Sequence, residues 1–168
     1  MNTKIKPQAA STFHAHEQGI RDLYMESLHL VERLHRRLLD VIKDEFDRQG
    51  RSDVNAIQAL LLFNIGNSEL TAGELRSRGY YLGSNVSYNV KKLSESGYLM
   101  NERSVHDRRS IRVRLTPKGR TLRDRLSIML NRHIDILAQT PIRDTDLQGA
   151  AATLQQLERF WMRPGVSR

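Results

Sequence analysis

Cysteine is missing from this chain of 168 residues. A disulfide framework, a thiolate nucleophile and any zinc or iron–sulfur site with cysteine ligands are therefore excluded. Long apolar runs are missing as well, because no stretch approaches the roughly 18–20 apolar residues of a membrane span. The lysines near the N-terminus precede no apolar segment of the kind found in a signal peptide. We expect a cytoplasmic protein with no membrane partner.

Aromatic side chains are scarce, at 6% of residues, although 39% of the residues are hydrophobic. This composition favours an aliphatic, helix-rich core over a β-sandwich. The length suits one domain, or one domain with helical extensions.

Positive charge is unevenly distributed along the chain. The formal charge is +8, and residues 71–120 hold 11 Lys and Arg against 4 Asp and Glu, a net charge of +7. Such a concentration is typical of a surface that binds nucleic acid. On charge alone, a basic surface that only keeps the protein in solution is the alternative.

The N-terminal part of the chain predicts a long helix. Residues 1–16 show no apolar periodicity, which predicts a mobile arm. Over residues 17–46, apolar side chains recur every three or four positions, which indicates a helix of roughly 30 residues and about 45 Å. A second apolar flank of Leu23, Leu30 and Leu39 predicts that this helix dimerises.

Short helices follow a break at residues 50–53, which we expect to supply the N-cap of the next helix. Four residues of that helix are predicted to face inward: Ile57, Leu60, Leu61 and Ile65. Thr71 and Glu74 form a capping box that starts a third helix. Ser84 caps a fourth helix that runs to about Ser96. Two short helices joined by a tight turn predict a helix-turn-helix.

After Gly97 the apolar period changes from 3.6 to 2, which predicts a β-hairpin. Its strands are residues 98–103 and 111–115, and residues 104–110 form a polar tip. Thr116 and Pro117 then start a helix. A last helix from about Asp144 is predicted to bury seven residues: Leu147, Ala150, Ala151, Leu154, Leu157, Phe160 and Trp161. The fold class is therefore mainly α with a small β-hairpin wing.

The fourth helix has the composition of a groove-reading helix. At 100° per residue, Val86, Val90 and Leu93 share the buried face. Hydroxyls, an amide, a tyrosine and two lysines remain for the other side: Ser84, Asn85, Ser87, Tyr88, Lys91 and Lys92. Such groups contact base edges and phosphates in the major groove. An ordinary solvated helix face is the alternative.

Within this set we assign roles by chemistry. Asn85 and Tyr88 are predicted to contact base edges. Ser84, Lys91 and Lys92 are predicted to hold phosphates, and Ser87 could do either.

The run from Asp107 to Gly119, with an Asp-x-Arg tip, an apolar strand and Leu-Thr-x-x-Gly, resembles the wing signature of the MarR family of bacterial transcription factors. The resemblance spans roughly residues 17–162. It implies that the long N-terminal helix and the two C-terminal helices form a dimer interface. It also implies that Asp107 pairs with an arginine to stiffen the wing, and that Arg108 or Arg109 enters the minor groove.

A finer resemblance rests on Tyr80, Tyr81 and the segments around residues 58–66 and 82–89. These are similar to one subgroup, the regulators of cell-wall L,D-transpeptidase expression. The position after Val86-Ser87 is often basic in the family, whereas here it is Tyr88, so base preference does not transfer.

Family members commonly bind a small aromatic or phenolic anion, so the resemblance implies a ligand-responsive protein. Tyr80, Tyr81, His35 and Arg36 have suitable chemistry, yet the sequence assigns no effector site. Sensing through cysteine, known in one branch of the family, is excluded.

Metal binding and catalysis find little support. His14 and His16 lack a third ligand nearby, and no nucleophile, base and orienting group stand in a recognisable arrangement. We therefore expect no cofactor, no metal and no enzymatic activity.

These observations predict a homodimer that binds double-stranded DNA at a pseudo-palindromic operator and acts as a repressor. Its parts are an arm (1–16), a long dimerisation helix (17–50), a winged helix-turn-helix domain (51–116), C-terminal dimerisation helices (117–162) and a tail (163–168). The alternatives are a winged-helix module that binds protein, or one that binds RNA through exposed aromatics, of which the hairpin offers only Tyr98.

Overall fold

The computed structural model describes residues 7–50, 53–71, 74–75, 83–103 and 111–166, with side chains for all of these except residues 7–16, 83, 84, 103 and 111. Within them the chain forms five helices: α1 (Pro7–Arg48), α2 (Ala56–Ile65), α3 (Gly83–Glu95), α4 (Pro117–Leu137) and α5 (Asp144–Trp161). Three strands form one sheet: β1 (Leu70–Thr71), β2 (Leu99–Arg103) and β3 (Ile111–Leu115). The predicted fold class is confirmed.

Helix α1 is longer than its apolar pattern predicts. It has 42 residues and is about 63 Å long. Residues 7–16 are helical, which corrects the arm predicted there. Proline is favoured at the first helical position, and Ala9 and Ala10 favour a helix without adding an apolar stripe. Although α1 is long, no helix in the described part of the chain is both long and apolar enough to cross a membrane.

The cap of α2 differs from the prediction. Asn55 is the N-cap: its side chain accepts the Gln58 N–H at 2.9 Å, and the Gln58 side chain accepts the Asn55 N–H at 3.2 Å. This reciprocal capping box satisfies two backbone donors, so the helix starts at Ala56, six residues after Gly50. The predicted burial of Leu61 and Ile65 is confirmed. Ile57 is instead exposed and Leu60 only partly buried, whereas Ala59 and Leu62 are buried without having been predicted so.

The sheet has three strands in the order β1-β3-β2, all antiparallel. The predicted hairpin is β2 and β3, paired from Leu99 with Leu115 to Arg103 with Ile111. Strand β1 was not predicted, because a strand of two residues has no readable period. The predicted capping box beside it is confirmed: Thr71 N–H donates to Glu74 at 2.6 Å, and Glu74 N–H donates to the Thr71 hydroxyl at 3.1 Å.

The hydrophobic core lies where the C-terminal end of α1 meets α2, α3, the sheet and the first half of α4. Ile42 and Phe46 are the buried hydrophobic residues that the described side chains of α1 contribute. Leu122, Leu126 and Met129 come from α4. The core therefore supports the helix-turn-helix, while most of α1 projects beyond it.

A buried carboxylate ties α1 to α4. Glu45 accepts hydrogen bonds from Gln49 at 2.9 Å, Arg48 at 2.8 Å and Arg132 of α4 at 2.8 Å. Burial raises the pKa of Glu45, but the hydrogen bonds from Gln49 and Arg132 and the charges of Arg132 and Arg48 outweigh it. The pKa of Glu45 is thus lower than usual, and the carboxylate is ionised where it joins the two helices.

Helix α5 buries none of the residues predicted to be buried in it. Leu147 and Leu154 are half exposed, and Phe160 and Trp161 are 40% exposed. Within one chain α5 meets too little of the protein to cover its apolar face. One contact with α1 is the hydrogen bond from Trp161 Nε1 to Tyr24 Oη, at 2.9 Å.

Candidate nucleic-acid interface

Helix α3 separates a buried apolar side from an exposed polar side. Val86 and Leu93 are fully buried, and Val90 packs against the core. Asn89 is buried as well, and its amide donates to the Asn85 carbonyl at 2.9 Å. Five residues with predicted DNA contacts are exposed: Asn85, Ser87, Tyr88, Lys91 and Lys92. The side chain of Ser84, predicted to join them, lies outside the described residues.

An acid that the sequence reasoning missed lies among these groups. Glu95, the last residue of α3, is 3.9 Å from Lys91 Nζ and 3.4 Å from Lys92 Nζ. The spacings i to i+4 and i to i+3 are a signal that could have identified both pairs. The exposed face of α3 therefore has less net positive charge than its lysines suggest.

The C-terminal end of α3 is held against β2. Gly97 adopts a positive φ of 74°, which lets the chain reverse, and the Tyr98 N–H donates to the Leu93 carbonyl at 2.8 Å. The Ser94 hydroxyl is 3.2 Å from Asn101 Oδ1. The position of α3 is thereby tied to the strand that leads into the wing.

The Tyr98 junction, formed by Asp53, Tyr98, Thr116, Lys118 and Gly119, joins the end of α3 to the start of α4. The Tyr98 ring is fully buried, and its hydroxyl donates to the Asp53 carboxylate. Lys118 Nζ lies 4.1 Å from the centre of that ring and 3.7 Å from Asp53. This burial corrects the view of Tyr98 as an exposed aromatic that could stack on a base.

The backbone also passes closely at the Tyr98 junction. Thr116 N–H donates to the Tyr98 carbonyl at 3.1 Å, and the Thr116 hydroxyl donates to the Gly97 carbonyl at 2.7 Å. As predicted, Thr116 caps α4, accepting the Gly119 N–H at 3.1 Å, with Pro117 at the first helical position. The orientation of α3 thus depends on that of α4.

The outer face of the sheet presents alternating charges. Arg114 of β3 pairs with Glu102 of β2, and Arg112 lies 4.0 Å from Glu69. The tip between the strands, with Asp107, Arg108 and Arg109, lies outside the described residues. The roles of these three residues stay predictions.

Comparisons with known proteins agree with this architecture. A family model described as a winged helix DNA-binding domain matches residues 54–119. The exopolysaccharide II synthesis transcriptional activator ExpG of Rhizobium meliloti (strain 1021) is 36% identical over 138 residues, which are 82% of this chain and 71% of that protein. The MarR protein of Staphylococcus aureus, solved with salicylate and kanamycin, superposes with a TM-score of 0.66 at 20% identity, covering 86% of this chain and 95% of that one. The chain belongs to the MarR family of winged-helix transcriptional regulators.

A second protein with a similar fold was solved in complex with DNA. FabT of Streptococcus pneumoniae in complex with DNA superposes with a TM-score of 0.62 at 18% identity, covering 82% of this chain and 96% of that chain. At such identity the likeness establishes the fold. Together with the family model, it identifies this MarR-family protein as a DNA-binding transcriptional regulator.

Two of the four residues whose chemistry suits a small-molecule ligand lie in the described part of the chain. His35 and Arg36 are exposed on α1, where Arg36 lies 3.6 Å from Glu32 and lines a shallow groove of about 310 Å³. Tyr80 and Tyr81 lie outside the described residues. Regulators of this family need no cofactor, and among the described residues no cluster of three or more His, Asp or Glu could hold a metal.

Proposed function

We propose that this MarR-family protein is a homodimer that reads a pseudo-palindromic operator, with α3 in the major groove and the wing tip in the minor groove. The observation that carries the proposal is the exposed polar face of α3, backed by the fully buried Val86 and Leu93. An α-helix fits the major groove, and amide, hydroxyl and ammonium groups are the donors that contact bases and phosphates there.

Exposed apolar residues support the homodimer. On α1, Leu23 and Leu34 are 66% and 65% exposed, and on α5, Leu147 and Leu154 are 50% and 49% exposed. Apolar surface on two helices of one chain is typical of a protein–protein interface. A second copy of the chain supplies the same surface about a two-fold axis. The two DNA-binding domains of such a dimer would present two copies of α3 to one duplex.

Dimer symmetry sets the expected form of the operator. Two recognition helices that enter successive major grooves lie about 34–36 Å apart, so half-sites should be centred about 10–10.5 base pairs apart. Within each half-site we propose base contacts for Asn85 and Tyr88. We propose phosphate contacts for Ser84, Lys91 and Lys92, and either kind for Ser87. Asp107 would hold the wing while Arg108 and Arg109 reach the minor groove.

The proposal also covers whether the protein represses or activates transcription, and which kind of ligand it binds. Repression is the function proposed from the sequence, whereas the relative at 36% identity is named an activator. A dimer that occupies its operator represses where the operator overlaps a promoter, and a reporter gene with and without the protein measures the sign. The salicylate complex of the Staphylococcus protein supports an aromatic anion as the ligand. Salicylate titrated into the protein–DNA complex should release DNA.

The test of DNA reading compares two duplexes. A fragment selected from genomic DNA by the protein serves as operator, and a random duplex of equal length measures sequence-independent binding. Asn85→Ala and Tyr88→Ala should weaken operator binding by about 1–3 kcal/mol and leave random binding nearly unchanged. Asn131→Ala, an exposed amide on α4, is the matched control and should change neither.

Three outcomes would contradict parts of this proposal. Equal losses on both duplexes would reassign Asn85 and Tyr88 to phosphate contacts. Preference for RNA of equal length would favour the RNA alternative, which the burial of Tyr98 disfavours because no base can stack on a buried ring. Binding to neither nucleic acid would favour the protein-binding alternative.

A further inference from the structure

Glu95 is the one acid on the described exposed face of α3. At 100° per residue its side chain projects between those of Lys91 and Lys92, and it lies within 4 Å of both ammonium groups. Its side chain is 49% exposed. Glu95 therefore adds a negative charge to a surface that the proposed function places against DNA phosphates.

Helix stability does not account for an acid at this position. The C-terminal end of a helix carries a partial negative charge, so a carboxylate there is disfavoured by about 0.3–1 kcal/mol. An ion pair with lysine preceding glutamate has the weaker of the two orientations, and exposed pairs contribute about 0–1 kcal/mol. The contribution of Glu95 to folding is therefore close to zero.

Glu95 lies in the part of the proposed interface that contacts the DNA phosphate backbone. Base edges are contacted mainly from the N-terminal part of a recognition helix. Glu95 follows Asn85 by ten residues, which is about 15 Å along the helix. It also borders, with Lys91, Asn101 and Val113, an open groove of about 340 Å³ between α3 and the sheet. The carboxylate thus lies at the C-terminal end of α3, beside Lys91 and Lys92, which are proposed to contact DNA phosphates.

We propose that Glu95 lowers the affinity of the protein for DNA of any sequence, by neutralising lysine charge and repelling the phosphate backbone. The inference rests on the proposed function of α3. Lys91 and Lys92 must exchange the carboxylate for a phosphate when DNA binds, and the carboxylate stays nearby. Because phosphate contacts occur on every sequence, the effect is the same on operator and random DNA.

The size of the effect follows from counterion release. Each additional phosphate neutralised steepens the slope of log affinity against log salt by about 0.9. Removing Glu95 from both protomers should therefore steepen the slope by about 1.8. The variant should bind more tightly than the wild type at low salt, and its advantage should fall about tenfold between 50 and 200 mM salt.

The experiment measures the affinity of Glu95→Gln for operator and random duplexes at several salt concentrations, with Glu95→Ala as a second variant and thermal unfolding as a folding check. Asp47→Asn is the matched control. Asp47 also pairs with a lysine four residues earlier, Lys43 at 2.8 Å, near the C-terminus of α1. The control loses the same charge and should keep the wild-type slope.

We expect affinity to rise by the same factor on both duplexes for both Glu95 variants. A loss confined to the operator would overturn the proposal, because it would mean that Glu95 accepts a hydrogen bond from a cytosine amine. Unchanged affinities and slopes would overturn it as well. Failure of the wild-type protein to bind any duplex would instead refute the proposed function of α3.

Discussion

Gly119 tests the packing that orients α3. The residue is buried in the first turn of α4, against the Tyr98 carbonyl. A Cβ added at Gly119 would lie 2.2 Å from the Tyr98 carbonyl oxygen, 3.2 Å from its carbon and 3.4 Å from Leu115 Cβ. No side-chain rotation can relieve the clash, because the positions of the added Cβ and of the Tyr98 carbonyl are both fixed by the backbone. Gly119→Ala should therefore force α4 away from the start of β2.

The cost can be worked from the bonds that this movement breaks. The Tyr98 carbonyl accepts the Thr116 N–H at 3.1 Å, and the Gly97 carbonyl beside it accepts the Thr116 hydroxyl at 2.7 Å. Loss of two hydrogen bonds costs about 2 kcal/mol. Residual overpacking adds about 1–3 kcal/mol, and the better helix propensity of alanine returns about 1 kcal/mol. We expect a net loss of about 2–4 kcal/mol in the free energy of unfolding.

Urea unfolding followed by circular dichroism, at one fixed protein concentration, measures this loss. Gly149→Ala is the control, because nothing lies within 4 Å of a Cβ built at Gly149 in α5. That variant should gain about 0.5–1 kcal/mol from propensity alone. If Gly119→Ala were as stable as Gly149→Ala, the close approach of α4 to Tyr98 would be refuted.

Three further predictions concern the wing, the buried carboxylate and the dimer. Alanine at both Arg108 and Arg109 should weaken binding to all sequences and flatten the salt slope, and an unchanged slope would remove the wing from the interface. Because folding lowers the pKa of Glu45 below the usual value for glutamate, its ionised form stabilises the protein above that usual pKa, and this stability is lost as pH falls through the folded pKa. Glu45→Gln should therefore lose about 1–3 kcal/mol at pH 7, and the difference from wild type should shrink in acid, as urea titrations at several pH values would measure. Leu23→Asp should halve the mass measured by light scattering, and an unchanged mass would exclude α1 from the dimer interface.

Much of the winged helix could be predicted because its determinants are local. The capping box at Thr71, the N-cap at Thr116, the reversal at Gly97 and the exposed face of α3 depend on residues no more than five positions apart, or on a period within one element. The MarR resemblance is likewise most specific in one continuous run, from Asp107 to Gly119, and the comparisons confirm the family.

Other features were not predicted, either because two candidate N-caps lay close together or because a segment had no apolar periodicity. Asn55 rather than the segment of residues 50–53 caps α2, since Gln58 completes a reciprocal box there. Strand β1 has two residues, too few to alternate. The start of α1 is helical although it has no apolar stripe, the only helix signal that was read there.

By itself the sequence determined most of the elements, the concentration of positive charge and the polar face of α3, because periodicity and charge are properties of neighbouring residues. Only the tertiary structure decided that Tyr98 is buried, since its partner Asp53 lies 45 positions earlier in the chain. It likewise decided that α4 approaches the Tyr98 carbonyl closely enough to require glycine at position 119. The apolar face of α5 was readable as a stripe, but its exposure follows from how little of the same chain packs on it. Burial is set by contacts between distant segments, which no local pattern records.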